Sequence, residues 1–81
     1  MEYVLIVFGS RTTASKVSLE LERKFKINST VMQTPKKIPL KSCSYSIKAE
    51  KNHLKQIIQF LKDMNVYIRG VYDFDDYSKI V

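Results

Sequence analysis

The chain has 81 residues, with 14 Lys and Arg against 8 Asp and Glu, a formal charge of +6 and a pI near 9.6. A chain this short buries only about 60–65% of its unfolded surface, which builds one thin core and excludes two lobes around a cleft. A hydrophobic content of 44% with two glycines and two prolines excludes collagen-like, low-complexity and wholly disordered chains. One folded unit over residues 1–81 is expected, with residues 73–81 an acidic C-terminal tail. The longest apolar run, Tyr3 to Phe8, falls far short of the roughly 20 residues that cross a bilayer. Met1-Glu2 does not open a signal peptide, so a cytoplasmic protein is expected. Cys43 is alone in the sequence, which excludes an intramolecular disulfide and a multi-cysteine zinc site.

Tyr3 to Phe8 is β-branched and aromatic without polar alternation, the pattern of a strand covered on both faces. Gly9-Ser10-Arg11-Thr12-Thr13 ends the run with hydroxyl residues that start helices. A helix is predicted from about Thr12 to Phe25, with the stripe Ala14, Val17, Leu21 and Phe25; Leu19 lies off it and is unexplained. Asn28 to Thr34 reads as a short strand near an edge, stopped by Pro35. The loop from Pro35 to Ser42 holds both prolines and three lysines. From Cys43 the period becomes 2, with Cys43, Tyr45, Ile47 and Ala49 on one face and Ser44, Ser46, Lys48 and Glu50 on the other. Asn52 is placed to cap a second helix with the stripe Leu54, Ile57, Ile58, Leu61 and Met64. Val66 to Tyr72 reads as the last strand, with a bulge expected at Gly70.

The order strand, helix, strand, strand, helix, strand predicts an α+β fold: a ferredoxin-like βαββαβ sandwich with a four-stranded antiparallel sheet and two helices on one face. Its predicted core is Leu5, Val7, Ala14, Val17, Leu21, Ile47, Leu54, Ile58 and Leu61. Strands one and three are expected to be central and parallel. That would put Cys43 at the Tyr3 end of the sheet and the Gly9–Thr13 turn at the far end. Two helices leave one face of the apolar first strand bare, so a homodimer or another partner is expected over it.

Cys43 is the one candidate nucleophile. Lys36, Lys37 and Lys41 precede it in the loop, and nearby cations favour thiolate over thiol. The competing reading of Cys43 is a small buried hydrophobe, since free cysteine is among the most buried residue types. Ser10, Arg11 and Thr12 form a second candidate, an anion cradle at a helix start, against the plainer reading of an N-cap with a solvent-facing arginine. His53 lacks companions at metal-ligand spacing, and Asp73, Asp75 and Asp76 lack the rest of an EF-hand, so no metal site and no cofactor is predicted. From Arg11 to Lys62 there are 12 basic residues against Glu20, Glu22 and Glu50, a net of +9. Nonspecific, salt-sensitive polyanion binding is expected from that segment. Sequence-specific RNA binding is less well supported, because Tyr45-Ser46-Ile47-Lys48 does not match the aromatic motifs of RNA-binding sheets.

Read together, Tyr3–Phe8 with Ser10 and the following helix, Thr34-Pro35, Ser42-Cys43 at the opening of a strand, and Gly70-Val71-Tyr72 resemble a small bacterial family of putative selenium or sulfur carrier proteins. The resemblance covers nearly the whole chain, and its most specific element is the proline loop ending in Ser-Cys. It implies that Cys43 is the carrier thiol, held as a persulfide or selenenyl sulfide between a donor and an acceptor protein, in a carrier rather than a catalyst. Members often have Gly directly after the cysteine, where this chain has Ser44. The alternative is a small basic module that binds nucleic acid or protein without covalent chemistry.

Overall fold

The computed structural model describes residues 2–38 and 44–80. Cys43, Lys41 and Ser42 therefore lie outside the described residues. The elements are β1 (Tyr3–Phe8), α1 (Arg11–Phe25), β2 (Thr30–Gln33), β3 (Tyr45–Glu50), a 3₁₀ turn (Lys51–His53), α2 (Leu54–Asp63) and β4 (Gly70–Asp73). They form one antiparallel sheet in the order β2-β3-β1-β4, the ferredoxin-like arrangement. No helix among the described residues is long and apolar enough to cross a membrane.

The central pair departs from expectation. β1 and β3 are antiparallel, with Tyr3 opposite Glu50 and Phe8 opposite Tyr45. The crossover through α1 makes β1 parallel to β2, and β3 enters the gap between them, so it runs opposite to both. The parallel pair is therefore β1 and β2, and the start of β3 lies at the Phe8 end of the sheet instead of the expected Tyr3 end.

β1 is buried along Val4–Phe8, but its two faces meet different partners. Val4, Ile6 and Phe8 join Ala14, Val17 and Leu21 of α1, Ile57, Phe60 and Leu61 of α2, and Ile47, Ala49 and Val71 of the sheet. Both helices thus lie on this face. Leu5 and Val7, expected beneath the helices, belong to a second cluster on the opposite face with Ile38 and Tyr72, flanked by Met32, Phe74 and Tyr77. In α2 the buried face is Ile57, Phe60 and Leu61, while Leu54 and Ile58 are half-buried and Met64 is exposed. Phe60 packs edge-on against Phe25 of α1 at 5.3 Å, which turns the helix toward its neighbour. Leu19 is 54% exposed and has no packing role. Asn52 falls inside the 3₁₀ turn, so α2 starts from His53 without a side-chain cap. Gly70 pairs in register with Val7, so no bulge forms there. The ring of Tyr72 occupies the space over Gly70, where an added Cβ would meet it at 3.1 Å.

The helix-free face is closed by the chain itself. The Ile38 amide donates to the Pro35 carbonyl at 3.1 Å, a turn that sets Ile38 onto Leu5 and Val7. Beyond β4 the chain folds back: Lys79 bridges Tyr72, the Asp73 amide donates to the Ser78 carbonyl at 2.8 Å, and the Ile80 amide donates to the Val71 carbonyl at 2.7 Å. Residues 74–80 therefore act as a strap, and a solvated tail does not describe them. Asp73 and Asp76 accept from the Asp75 and Ser78 amides at 2.9 and 3.0 Å and shape its turns. The reason for expecting a second copy, a bare face of the apolar first strand, is removed, because Ile38 and Tyr72 cover Leu5 and Val7 on this face.

Three hydroxyls join the exit of β2 to the start of β3. Thr34 shares a 2.7 Å hydrogen bond with Ser46, which is fully buried, and accepts one of 3.0 Å from Ser44. The Thr34 amide donates to the Ser44 carbonyl at 3.0 Å. Ser44, expected on an outer face, is 3% exposed for this reason.

Three outcomes follow from this packing. Truncation after Asp73 should expose Leu5, Val7 and Tyr72, lowering stability by about 2 kcal/mol or more and producing dye-binding, self-associating protein in light scattering. Thr34→Val should cost about 1–3 kcal/mol in denaturant unfolding, because it strands the buried Ser46 hydroxyl. The Asp76 carboxyl is held below its ordinary value, first by the Ser78 backbone amide. A depressed folded pKa contributes stability that is present above the unfolded carboxylate value and lost as pH falls through the folded one. The Ser78 amide resonance should therefore shift on acidification below the ordinary Asp range, and Asp76→Asn should flatten that response.

Candidate functional site

Antiparallel pairing of β1 with β3 gathers the sequence signals at one end of the sheet. β1 leaves there through Gly9 into α1, β2 leaves through Thr34-Pro35, β3 starts there at Ser44-Tyr45, and β4 starts there at Gly70. The Gly9–Thr13 turn and the start of β3, expected at opposite ends, are neighbours. The Arg11 guanidinium stands 6.0 Å from the centre of the Tyr45 ring, at the outer limit of a cation–π contact.

The turn itself is built by Ser10. Its extended backbone precedes the helix, and its Oγ accepts from the Thr13 amide at 3.2 Å while donating to the Thr13 hydroxyl at 3.0 Å. Among the candidate cradle residues, Ser10 is thus engaged as an N-cap, while Arg11 and Thr12 are exposed. The first turn of α1 contains no acidic residue, so its positive dipole end is not neutralised from within the helix. Lys36 and Lys37 are exposed on the turn that seats Ile38. The Arg69 amide donates to the Val7 carbonyl at 2.8 Å, and its side chain lies beside Gly9. Arg11, Lys16, Lys36, Lys37 and Arg69 are therefore all found around this end. Asp63, the last residue of α2, is exposed and accepts from Gln59 at 3.1 Å.

A groove of about 560 Å³ runs between the first turns of α1 and the segment Met64–Tyr67 that leads to β4. One wall carries Ser10, Thr13 and Lys16, the other Met64, Val66 and Tyr67. Tyr67 is 79% exposed and Met64 40%. Periodicity concealed this groove, because it assigned Met64 to a core stripe and Val66–Tyr67 to a strand. The hydroxyl cluster of Thr34, Ser44 and Ser46 was equally hidden, since a strand's polar face ordinarily points to water.

The other end of the sheet carries paired charges. Lys51 lies 3.6 Å from Glu2 and 3.9 Å from Asp73, and His53 lies 3.4 Å from Glu50. Lys48 sits over the rings of Tyr3 and Phe74 at 4.5 and 4.2 Å. His53, expected as an exposed helix residue, belongs to the 3₁₀ turn and is half-buried. Among the described residues no group of three or more His, Cys, Asp or Glu could hold a metal ion.

No curated protein and no solved structure matches the chain. One family model does, described as "Putative Se/S carrier protein-like", and its match runs over residues 3–73. That span begins with β1 and ends with the last residue of β4, leaving the strap outside it. It includes Ser10, Thr34-Pro35, Ser42-Cys43 and Gly70, and on this match the chain belongs to the Se/S carrier protein-like family.

Proposed function

We propose that this protein carries sulfur or selenium covalently on Cys43, taking it from a donor protein and passing it to an acceptor. The observation that carries the reading is the convergence, at one end of the sheet, of the start of β3 with the α1 turn and the exits of β1 and β2. Cys43 is bonded directly to Ser44, the residue that Thr34 holds at that end. The family assignment supports the class of cargo.

The chemistry needs one thiol and no cofactor. The Cys43 thiolate attacks the terminal sulfur of a donor persulfide; a new S–S bond forms, the donor's S–S bond breaks, and the donor leaves as a thiolate. Transfer repeats the exchange with an acceptor thiolate, and Cys43 is the leaving group. No net oxidation occurs, and a selenium atom replaces the terminal sulfur without changing the balance. Lys36, Lys37 and Lys41 favour the anionic forms of Cys43 and its persulfide, because neighbouring cations lower the thiol pKa from its reference near 8.5. The Arg11 guanidinium and the α1 helix start at Ser10–Thr12 supply further positive potential from the same end of the sheet. With a second thiol absent from the sequence, cargo leaves to a partner rather than through an internal disulfide.

RNA binding is the weaker alternative on structural grounds. Split βαβ domains that bind single strands stack bases on the helix-free face of the sheet. Here that face is closed by Ile38, Phe74 and Tyr77, with Tyr72 only 7% exposed.

Reduced protein incubated with a low-molecular-weight persulfide should gain the mass of one sulfur, transferable to an added thiol and missing in Cys43→Ala. Lys36→Glu combined with Lys37→Glu should move the midpoint of the pH–rate profile for loading to higher pH, by about half a unit to one unit. Absence of any adduct on the native chain would reject the carrier reading and leave the basic binding module.

A further inference from the structure

The two edges of the sheet end differently. At β4 the strap takes the outward backbone groups: the Val71 carbonyl accepts from the Ile80 amide at 2.7 Å, and the Asp73 amide donates to the Ser78 carbonyl at 2.8 Å. At β2, the opposite edge, no backbone hydrogen bond among the described residues reaches the outer side. The Thr34 amide donates to the Ser44 carbonyl, so Thr34 faces β3. Inward and outward residues alternate in an antiparallel ladder, which leaves the N–H and C=O groups of Val31 and Gln33 pointing away from the sheet. Strand edges are ordinarily guarded by lysine, by proline within the strand or by a bulge. Thr30–Gln33 has none of these, and its register with β3 is unbroken. The nine residues Ile27–Pro35 are the longest run without formal charge in a chain whose net charge is +6.

We propose that β2 is a self-association edge: two copies of this chain join through it, antiparallel, with Val31 of each opposite Gln33 of the other. Four strands from each copy then form one continuous sheet. Backbone geometry selects this register. An outward residue must stand opposite an outward residue, and this pairing engages every outward N–H and C=O of Val31 and Gln33 in both copies. It is also two-fold symmetric, as a self-complementary interface requires. The axis passes between the two copies of Met32, which is half-buried beside the cluster of Leu5, Val7, Ile38 and Tyr72 and gains an apolar neighbour. Charge singles out the occupant. A second copy at +6 is repelled by basic surface, but along Ile27–Pro35 neither copy presents a charge to the other. A foreign strand matches the backbone without using the two-fold register or the absence of charge. The interface lies at the sheet edge, away from the face closed by Ile38 and the strap, and it does not depend on Cys43.

The test is sedimentation equilibrium of the full chain. So short an edge makes a small interface, and the mass should rise from one chain to two with a dissociation constant on the order of 10–100 μM. Met32→Lys sets like charges against each other on the two-fold axis and should weaken association by about tenfold or more. Met32→Glu should do the same, and an equimolar mixture of the two variants should associate again, because Lys then faces Glu. That recovery requires both variants to be folded. Gln33→Pro is a second, independent variant: it removes an outward N–H at an exposed side chain, which a folded edge strand tolerates, and it should also weaken the dimer. Hydrogen exchange reads the register. Val31 and Gln33 amides should be protected in the concentrated native protein and exchange fast in Met32→Lys, while the Thr30 and Met32 amides, which face β3, stay protected in both. The proposal is overturned if the native chain remains a monomer at about 1 mM, which leaves the edge to a foreign strand. It is equally overturned if Met32→Lys and Gln33→Pro dimerise as the native chain does, or if natively folded Met32→Lys and Met32→Glu fail to associate when mixed.

Discussion

Burial of β1 on both faces is the constraint on which the architecture depends. Val4–Phe8 is closed to solvent, and each such side chain is worth about 1.5–3 kcal/mol when fully buried. Two helices can satisfy one face of such a strand. The other needs a second layer, and this chain assembles it from three separate pieces: Ile38 from the loop after β2, Tyr72 within β4, and Phe74 with Tyr77 from the strap. The loop that leads to Cys43 is thereby tied to the sheet at its first turn. Packing of the helix-free face and placement of the Pro35–Ile38 turn are consequences of one requirement.

The same register distributes the charge. Tyr3 stands opposite Glu50 and Val4 opposite Asp73, so carboxylates collect where β1 begins and pair with Lys51 and His53. Where β1 ends lie the start of α1 and the exposed Lys16, Lys36 and Lys37. A modest overall charge of +6 thus becomes a local positive field at the end of the sheet that holds the start of β3. Such a field suits the proposed chemistry, because positive charge favours an anionic sulfur.

Ser44 shows how the chain buries a polar side chain at the entry to β3. Its hydroxyl turns inward to Thr34, which also bonds Ser46, so a polar side chain is buried without leaving a partnerless group. Bonding of the Thr34 amide to the Ser44 carbonyl then extends the β2–β3 pairing one step past the named strands. Ser44 thus contributes order where β2 and β3 meet.

Element order and the α+β class were legible in the sequence, because apolar period and chain punctuation are local properties. The stripe Ala14, Val17 and Leu21, the parity of Tyr45, Ile47 and Ala49, and the N-cap at Ser10 all follow from spacing alone. The family signals around Cys43 were legible in the same way, as residue types in order. Relative direction of β1 and β3 was not, since it is set by which gap in the sheet a strand enters. Nor was the division of β1 between Val4, Ile6 and Phe8 beneath the helices and Leu5 and Val7 beneath the strap, because an uninterrupted apolar run carries no parity. Tertiary pairing decided both. It brought the Ser10–Thr12 turn and the start of β3 to one end of the sheet, a juxtaposition that depends on contacts between residues more than thirty positions apart.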